Sequence, residues 1–484
     1  MNAKRYSTRN VSVNRYIVMM TILRRHIVLT TGRKYRQIAA GIQSALAGGE
    51  LRPGDRLPPQ RELADALGVT LGTVTRAYRE IDRLGLARGE IGRGTYLIGR
   101  EEHDFTLQAL HNRVDRDAAG IVRFDLNFPV PDGEPDLAAM LAGLGRDRRV
   151  AEMLSYQPTA GMAEHRRAAS RWLGHFRMPA APERIAITTG AQHALFTALA
   201  CSLKPGDALA VDPYTYPGII NLARVLHLRL VPVEGDGEGM RPDLLEKAVA
   251  AQRLQGVYLI PTLHNPTTIT MAEGRRRELA GVIGRSGLRL IEDDVYGGME
   301  DQGRLPVAAL IPGLSYYVSN LSKSVAPGLR VGFLVAPEGG MQAVEEAMAA
   351  SIWVNPPLVA EIARRWIDDG TAMRTLAGKR EAANRRMRLL AGTLRADGLA
   401  YRPGGLHAWL RLPPPWTSEA FAREALQRRV QVVPSASFFT GTHQDLQAVR
   451  ICIGPPDSDE EIVRGASILA DILASPPRRE TPIM

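Results

Sequence analysis

The stretch Ser319-Asn-Leu-Ser-Lys-Ser-Val-Ala-Pro-Gly-Leu-Arg330 continues a short apolar run and places Lys323 and Arg330 in the loop that follows it. Similar short apolar runs recur upstream and alternate with segments of helical period. Strands that alternate with helices in this way predict an α/β fold with a largely parallel sheet. The predicted strands are Ile185–Thr188, Ala208–Val211, Gly256–Ile260, Leu288–Glu292 and Tyr316–Ser319.

Polar side chains stand directly after several of these predicted strands. Asp293 occurs in Leu290-Ile-Glu-Asp-Asp-Val-Tyr296, and Asn265 follows Ile260-Pro-Thr-Leu-His264. Thr189-Gly-Ala-Gln-His193 joins a strand to a helix, whose first N–H groups suit a phosphate. Each feature alone has an ordinary explanation as a helix cap, a turn or a packing joint. Ligands bind outside the carboxyl ends of strands in open α/β sheets, so together these residues are candidates for one site.

Taken in order, these residues resemble the fold type I pyridoxal-phosphate enzymes, the aspartate aminotransferase superfamily. The resemblance covers roughly residues 122–475 and implies a pyridoxal 5′-phosphate cofactor. It implies that Lys323 holds the cofactor aldehyde as a Schiff base. It also implies that Asp293 keeps the pyridine nitrogen protonated, because a nearby carboxylate favours that charge. The family spacing Asp-x-x-Tyr selects Asp293 over the adjacent Asp294.

The resemblance also assigns the other cofactor contacts. Asn265 and Tyr296 would hydrogen-bond the ring hydroxyl, and Tyr216 would stack on the ring, with Tyr214 as its nearby alternative. The phosphate would meet three consecutive residues and two from the lysine loop, namely Gly190, Ala191, Gln192, Ser322 and Arg330. The family commonly has serine three residues before the lysine, where this chain has Asn320.

Two further residues carry implications for partners. Tyr156, in Ser155-Tyr-Gln-Pro-Thr-Ala-Gly161, resembles the tyrosine that reaches the phosphate of the neighbouring subunit, which implies a homodimer. Arg450, in Val449-Arg-Ile-Cys-Ile453, resembles the arginine that binds the α-carboxylate of an amino acid, since its planar fork suits a carboxylate. The alternative for Arg450 is a structural salt bridge. His and Cys residues do not cluster at metal-ligand spacing, so no metal is expected.

The first hundred residues carry a different pattern. They hold 18 Lys and Arg against 7 Asp and Glu, so the basic surplus of the +10 chain lies in this part and the remainder is nearly neutral. An amphipathic helix over residues 35–48, a helix over Gln60–Leu67, a turn at Gly68 and a helix from Thr70 to Leu84 are predicted. A glycine-tipped hairpin follows in Leu86–Leu97. This order is typical of a winged helix-turn-helix domain.

The second helix of such a motif lies in the major groove, where its first turn meets base edges. The candidate DNA contacts are Arg61, Thr70, Thr73, Thr75, Arg76 and, at the hairpin tip, Arg93. Two stretches resemble the GntR-type DNA-binding domain. They are Leu51-Arg-Pro-Gly-Asp-Arg-Leu-Pro-Pro-Gln-Arg-Glu-Leu-Ala64 and, after it, Gly68-Val-Thr-Leu-Gly-Thr-Val-Thr-Arg-Ala-Tyr78. This resemblance covers residues 35–98 and implies a double-stranded DNA operator. Leu71 stands where the family often has arginine.

Composition bounds the cellular context. Cys201 and Cys452 lie far apart in apolar surroundings, which indicates buried thiols in a reducing compartment. No apolar run approaches the ~20 residues of a membrane span, and Tyr16–Leu23 is too short for a secretory signal. We therefore expect a cytoplasmic protein with no membrane partner. Residues 1–34 form a basic leader, which is either a disordered arm or the result of a start codon placed too early.

The fusion of a GntR-type reader to an aminotransferase-like body resembles the MocR subfamily of bacterial transcriptional regulators. It implies a DNA-binding domain over 35–98, a linker over 99–121 and a cofactor-binding domain over 122–475 with a smaller C-terminal α+β subdomain. We expect a regulator whose large domain binds the cofactor and an amino-compound effector and thereby moves paired DNA-binding domains. Two alternatives stay open: an active aminotransferase carrying a DNA-binding domain, and a dimerisation scaffold without cofactor.

Overall fold

The structure is a computed structural model that describes residues 19–27, 33–47, 50–51, 55–83, 87–90, 94–97, 120–300, 303–441 and 446–475. The chain divides into two compact units, Met1–Gln108 and Ala109–Met484. The first half of the expected leader and nearly all of the expected linker over 99–121 lie outside the described residues.

The first unit consists of helices followed by a hairpin. Residues 19–26 are helical, and three further helices follow, α1 (Lys34–Ala47), α2 (Gln60–Leu67) and α3 (Leu71–Arg83). Strands β1 (Ala87–Glu90) and β2 (Gly94–Leu97) pair antiparallel. Gly68 ends α2 in the left-handed conformation, with a φ of 62° that favours glycine. This is the winged helix-turn-helix layout that the sequence predicts.

The core of the first unit begins earlier than the sequence suggests. The sequence places the start of compact structure near Tyr35, yet Met19, Leu23 and Ile27 are buried in the core that α1 and α3 form. Their spacing of four puts them on one helical face, with Arg24 and Arg25 exposed. Gly41 of α1 permits this close packing, since a Cβ there would lie 2.6 Å from Cγ1 of Ile27. Residues 19–27 of the expected leader are therefore part of the packed unit.

The second unit is an α/β domain. Its strands are β3 (Val122–Arg123), β4 (Ile185–Thr188), β5 (Ala208–Val211), β6 (Arg229–Pro232), β7 (Gly235–Asp236), β8 (Gly239–Met240), β9 (Leu254–Leu259), β10 (Arg289–Asp293), β11 (Ser315–Asn320), β12 (Gly332–Val335), β13 (Leu399–Ala400), β14 (His407–Arg411), β15 (Val430–Gln431), β16 (Val433–Pro434) and β17 (Ala448–Cys452). Its helices are α4 (Leu137–Leu144), α5 (Ala163–Gly174), α6 (Gly190–Ser202), α7 (Pro217–Val225), α8 (Pro242–Gln252), α9 (Glu273–Ser286), α10 (Val307–Leu310), α11 (Met341–Ser351), α12 (Pro357–Asp368), α13 (Thr371–Leu394), α14 (Ser418–Gln427) and α15 (Asp459–Leu473).

The large sheet has seven strands in the order β4-β12-β11-β10-β9-β5-β6. Neighbouring strands are parallel, except that β12 runs antiparallel to both β4 and β11. Helices cover the sheet, and strands such as β5 and β12 are buried throughout, which explains why they are continuous apolar runs in the sequence. The mostly parallel α/β fold predicted from the sequence is confirmed.

A smaller C-terminal subdomain is built on an antiparallel sheet of order β13-β14-β17-β16. The long helix α13 packs against α15, and α14 packs against α15 and β17. Strand β3 pairs in parallel with β15, so the first strand of the large unit lies beside the C-terminal subdomain. In the described part of the chain, no helix has both the length and the apolar character that a membrane span requires.

Candidate functional site

The carboxyl ends of neighbouring parallel strands bring Lys323 and Asp293 to one edge of the large sheet. Asp293 ends β10, and Lys323 follows the adjacent strand β11 by three residues. Nζ of Lys323 donates a hydrogen bond to the main-chain oxygen of Asn127. Burial lowers the pKa of Lys323 to about 8, because an apolar environment disfavours the charged ammonium. The neutral amine that attacks a carbonyl is therefore accessible near neutral pH.

Asp293 is 3% exposed and is only partly satisfied by the protein. Its Oδ2 accepts a hydrogen bond of 2.7 Å from the hydroxyl of Tyr258, whereas its buried Oδ1 has no hydrogen-bond partner among the described residues. Burial raises the pKa of Asp293 to about 6. An unpaired buried carboxylate oxygen costs free energy that a cationic N–H donor would offset. The environment of Asp293 thus fits a protonated ring nitrogen.

Asp294 faces the other side of the sheet from Asp293. Its Oδ2 accepts a hydrogen bond of 2.7 Å from the hydroxyl of Tyr317 on β11. Because side chains alternate along a strand, Asp294 lies on the same face of the sheet as buried Glu292. Burial raises the pKa of Glu292 to about 8. The surroundings of Asp294 differ from those of Asp293, which shares its face with Tyr258.

Arg450 and Asn265 form a second cluster, where the C-terminal sheet meets the loop after β9. Nη1 of Arg450 donates to Oδ1 of Asn265 at 2.9 Å, and Nη2 donates to the main-chain oxygen of Asp125 at 2.7 Å. Arg450 is 7% exposed, its Nε has no hydrogen-bond partner among the described residues, and its guanidinium carbon lies 4.8 Å from the ring centre of Phe438. Both hydrogen-bond acceptors are uncharged, so the buried charge fits an external carboxylate better than a structural salt bridge.

A candidate phosphate cradle lies at the start of α6. Gly190 has a φ of 78°, and a Cβ at this position would lie 2.6 Å from Nη2 of Arg330, so the arginine sits directly against the helix N-terminus. Ser322 is 7% exposed, and its Oγ has no hydrogen-bond partner among the described residues. Asn320, at the position of the family serine, accepts a hydrogen bond of 3.0 Å at its Oδ1 from the main-chain N–H of Ser322. Helix N–H groups, an arginine and an unpaired hydroxyl together fit a phosphate.

The two candidate stacking tyrosines have different neighbours. The hydroxyl of Tyr216 donates to Oε1 of Gln192 at 3.0 Å, which links Tyr216 to the first turn of α6 and to Ala191 beside it. The ring of Tyr214 packs instead against Phe439, at 5.1 Å, and against Trp409, at 6.2 Å. The structure therefore brings Tyr216, and not its alternative, to the predicted phosphate residues.

Tyr156 is not enclosed by its own chain. Its side chain is 87% exposed, and Leu154, two residues earlier, is 91% exposed. Exposed large apolar side chains mark interaction surfaces when they occur together. The remaining predicted residues of the large unit are packed around the edge of the sheet, whereas Tyr156 faces solvent.

Asn127 and His407 are two site residues that the sequence analysis misses. Nδ2 of Asn127 lies 2.7 Å from the hydroxyl oxygen of Tyr296 and 3.3 Å from Nδ1 of His407. Nε2 of His407 lies 3.1 Å from the main-chain oxygen of His264. Asn127 stands in an irregular segment 196 positions before Lys323, so no local pattern could connect the two. The one available signal was a lone amide within an otherwise apolar stretch, Leu126-Asn-Phe-Pro-Val130.

A buried acidic cluster elsewhere does not form a metal site. Glu164, His165 and Glu361 place one potential ligand atom each within 4.8 Å of the others. Arg364 and Arg365 already donate to both carboxylate oxygens of Glu361 at 2.6 to 2.7 Å. Glu361 is therefore already paired within α12, and from α5 Nε2 of His165 lies 3.4 Å from its Oε2.

In the first unit, the predicted recognition helix has a capped N-terminus. The main-chain N–H of Thr73 donates to Oγ1 of Thr70 at 3.3 Å, as expected for a helix cap. The hydroxyl of Thr75 donates to Oε1 of Gln60 at 2.7 Å and so faces the preceding helix. Arg61 on α2 and Arg76 on α3 are exposed, as is Leu71, whereas Arg93 lies outside the described residues.

Comparisons with known proteins match both units. The family described as aminotransferase class I and II matches residues 135–467, and the family of bacterial regulatory proteins, gntR family, matches residues 34–97. The chain is 28% identical over 442 residues to the uncharacterized HTH-type transcriptional regulator YdeF of Bacillus subtilis, covering 91% of this chain and 94% of that protein. It is 30% identical over 385 residues to the vitamin B6 salvage pathway transcriptional repressor PtsJ of Salmonella typhimurium, covering 79% and 86%.

A solved structure supports the same fold for the large unit. The kynurenine aminotransferase of Pyrococcus horikoshii superposes with a TM-score of 0.70 at 24% identity, covering 76% of this chain and 94% of that one. The two-part architecture predicted from the sequence, a gntR-type module followed by an aminotransferase-type domain, is thereby confirmed.

Proposed function

Because this chain belongs to the aminotransferase class I and II family and carries a gntR-type module ahead of that domain, we propose that it is a cytoplasmic DNA-binding transcription regulator whose large unit binds pyridoxal 5′-phosphate and an amino compound. One observation carries the proposal. Lys323, with a lowered pKa, lies at the same sheet edge as Asp293, whose buried carboxylate oxygen has no partner among the described residues. Absorbance spectra of the purified protein, with and without amines, test this proposal.

The bound cofactor supplies an aldehyde that takes up amines and a ring that accepts electrons. Lys323 would hold the aldehyde carbon through its amine nitrogen. Asp293, kept in place by Tyr258, would hold a proton at the ring nitrogen. Asn265 and Tyr296 would bind the ring hydroxyl, and Tyr216, bound to Gln192, would cover the ring. The family resemblance implies these roles, and the donors, acceptors and burial of the residues at the sheet edge support them.

The phosphate would meet the N–H groups of Gly190, Ala191 and Gln192, together with Ser322 and Arg330. The close approach of Arg330 to Gly190 supports this role, because the guanidinium and the helix N-terminus present positive charge to the same point. A β-carbon at Gly190 would displace the arginine. Tyr156 would complete the cradle from a second copy of the chain, and its 87% exposure supports a homodimer.

Arg450 determines the class of amino compound that binds. Arg450→Lys is expected to weaken binding of an L-amino acid by about 10- to 100-fold, since it keeps the charge but loses the two-pronged hydrogen bond to a carboxylate. The matching decarboxylated amine should bind unchanged. Titrations of L-lysine and of 1,5-diaminopentane, followed by the absorbance of the cofactor-loaded protein, measure the two affinities. Arg464→Lys, an exposed arginine on α15, is the control. Equal weakening for both ligands would contradict the role of Arg450.

The DNA-binding surface contains exposed Arg61 and Arg76. Arg76→Ala is expected to weaken binding to DNA selected from a random-sequence library and to lower the slope of log K against log salt by about one, as Arg61→Ala should also do. Fluorescence anisotropy between 50 and 200 mM salt is the measurement, with Arg464→Ala as the control. An unchanged slope in both variants would contradict the assignment of this surface.

An active aminotransferase is the second candidate function. The presence of Lys323, Asp293, Tyr296 and Arg450 supports it, because Lys323 and Tyr296 each interact electrostatically with Asp293 and Arg450. A half-reaction assay separates the two functions, because an enzyme converts the cofactor rapidly to its amine form with an amino acid. A regulator binds the same amino acid with slow conversion. A purified protein that is colourless and unreactive to borohydride would indicate the third alternative, a scaffold without cofactor.

A further inference from the structure

Three residues outside the predicted cofactor contacts form a continuous hydrogen-bonded chain that ends at Tyr296. It begins at the main-chain oxygen of His264, passes through both ring nitrogens of His407, and continues through the side-chain amide of Asn127 to the hydroxyl of Tyr296. His407 is 1% exposed, and burial lowers its pKa to about 3, so its imidazole is neutral. A neutral imidazole has one donor nitrogen and one acceptor nitrogen.

The donors and acceptors in this hydrogen-bonded chain have only one consistent assignment. Nε2 of His407 faces a carbonyl oxygen, which only accepts, so Nε2 carries the hydrogen and Nδ1 is the acceptor. The group of Asn127 that faces Nδ1 must therefore be its NH2 donor. The second hydrogen of the same nitrogen is then available to the hydroxyl oxygen of Tyr296, 2.7 Å away. His407 thus fixes the amide of Asn127, because a rotation by half a turn would place the amide oxygen against the lone pair of Nδ1.

We propose that Asn127 is a positioning residue that donates a hydrogen bond to Tyr296 and thereby leaves the hydroxyl hydrogen of Tyr296 free to donate to the ring oxygen of the cofactor. This inference rests on the proposed function, because it assumes a cofactor at Lys323. The tyrosine oxygen is occupied as an acceptor, so its own hydrogen points elsewhere. Donation to the ring oxygen stabilises negative charge there and makes the nitrogen at Lys323 easier to deprotonate.

Other groups also affect the pKa of the nitrogen at Lys323, and they determine its value before any substitution at Asn127. The titratable and charged groups that face Lys323 or Tyr296 are Asp293, Arg330, Arg450, Cys452, Tyr216 and His407. A side-chain change at Asn127 leaves all of these in place. It also leaves the main-chain oxygen of Asn127, which accepts the hydrogen bond from Lys323.

The test is a pH titration of the visible absorbance of the cofactor-loaded protein. Asn127→Ala is expected to raise the midpoint by about 0.5 to 1 pH unit, because one hydrogen bond to Tyr296 is lost. Tyr296→Phe should raise the midpoint by at least as much. In the Tyr296→Phe background, Asn127→Ala should cause no further shift, since a residue that acts through the hydroxyl has nothing to act on. Asn127→Ser, too short to reach both partners, should behave as Asn127→Ala and serves if the alanine variant does not fold.

Cofactor content measured by mass after borohydride reduction separates the possible failures. A wild-type protein that takes up no label contradicts the proposed function and this inference with it. A labelled protein in which Asn127→Ala and Asn127→Ser leave the midpoint unchanged contradicts this inference alone. An equal shift in the presence and absence of the Tyr296 hydroxyl also contradicts it, because the effect would then not pass through Tyr296.

Discussion

Lys323→Ala is expected to abolish covalent attachment of pyridoxal 5′-phosphate. The wild-type chain, reduced with borohydride, should gain the mass of one reduced cofactor, and peptide mapping should place it on Lys323. The physical reason is the burial of Lys323, which lowers its pKa to about 8 and leaves a reactive amine beside Asp293. The variant should gain no such mass and should lack the visible absorbance band.

Two other lysines show why the site is specific. Lys379 is fully buried, but its Nζ donates to Glu134 at 3.0 Å and to the main-chain oxygen of Val130 at 2.9 Å, so the protein already pairs this amine. Lys247 is exposed on α8 and serves as the control for surface labelling. Lys247→Ala should label like the wild type. Label that persists in Lys323→Ala at full stoichiometry would show that the chosen lysine is wrong.

Asp293→Asn is expected to weaken cofactor binding by about 100-fold or more, since removal of one partner of a buried ion pair costs about 3 to 5 kcal/mol. The substitution keeps the shape and replaces only the charge opposite the ring nitrogen. Asp294→Asn is the matched control, because Asp294 is equally buried but binds Tyr317 on the other side of the sheet. It should change cofactor affinity little. Equilibrium dialysis gives both dissociation constants.

The pH dependence of cofactor affinity should differ between Asp293→Asn and the wild type. Burial raises the pKa of Asp293 to about 6 in the free protein, and a ring cation bound beside it lowers that pKa. Cofactor affinity should therefore be full above pH 6 and fall as the pH drops below about 6, where the free carboxyl takes up a proton. Asp293→Asn should lack this fall. A larger loss of affinity in Asp294→Asn than in Asp293→Asn would reverse the assignment.

Much of the fold follows from the sequence because its strands are short, continuous apolar runs. Strand β4 and helix α2 have the predicted ends, since a glycine directly follows α2 and polar residues follow β4. Lys323, Asp293 and Asn265 could be found because each stands shortly after a buried strand, where a parallel sheet gathers its polar residues. Their order along the chain carries the family resemblance, and that resemblance implies their roles.

The features of the fold and the site that could not be predicted from the sequence depend on contacts between distant segments. Asn127 reaches Tyr296 from a segment 169 positions earlier, and His407 lies on a strand of the C-terminal subdomain. Basic residues separate Met19, Leu23 and Ile27 in the sequence, so their apolar pattern is weak. Their burial depends on packing against α1. Local patterns do not encode such pairings, which require the folded chain.

The most direct test of the central claim is DNA affinity measured with and without the small molecules of the large unit. DNA selected by this protein from a random-sequence library is titrated with protein that lacks cofactor, with cofactor-loaded protein, and with loaded protein plus L-amino acids. A regulator with coupled sites should change its affinity by about 5- to 150-fold in at least one of these steps, and Lys323→Ala should not respond. DNA affinity that stays the same under all three conditions would contradict the account.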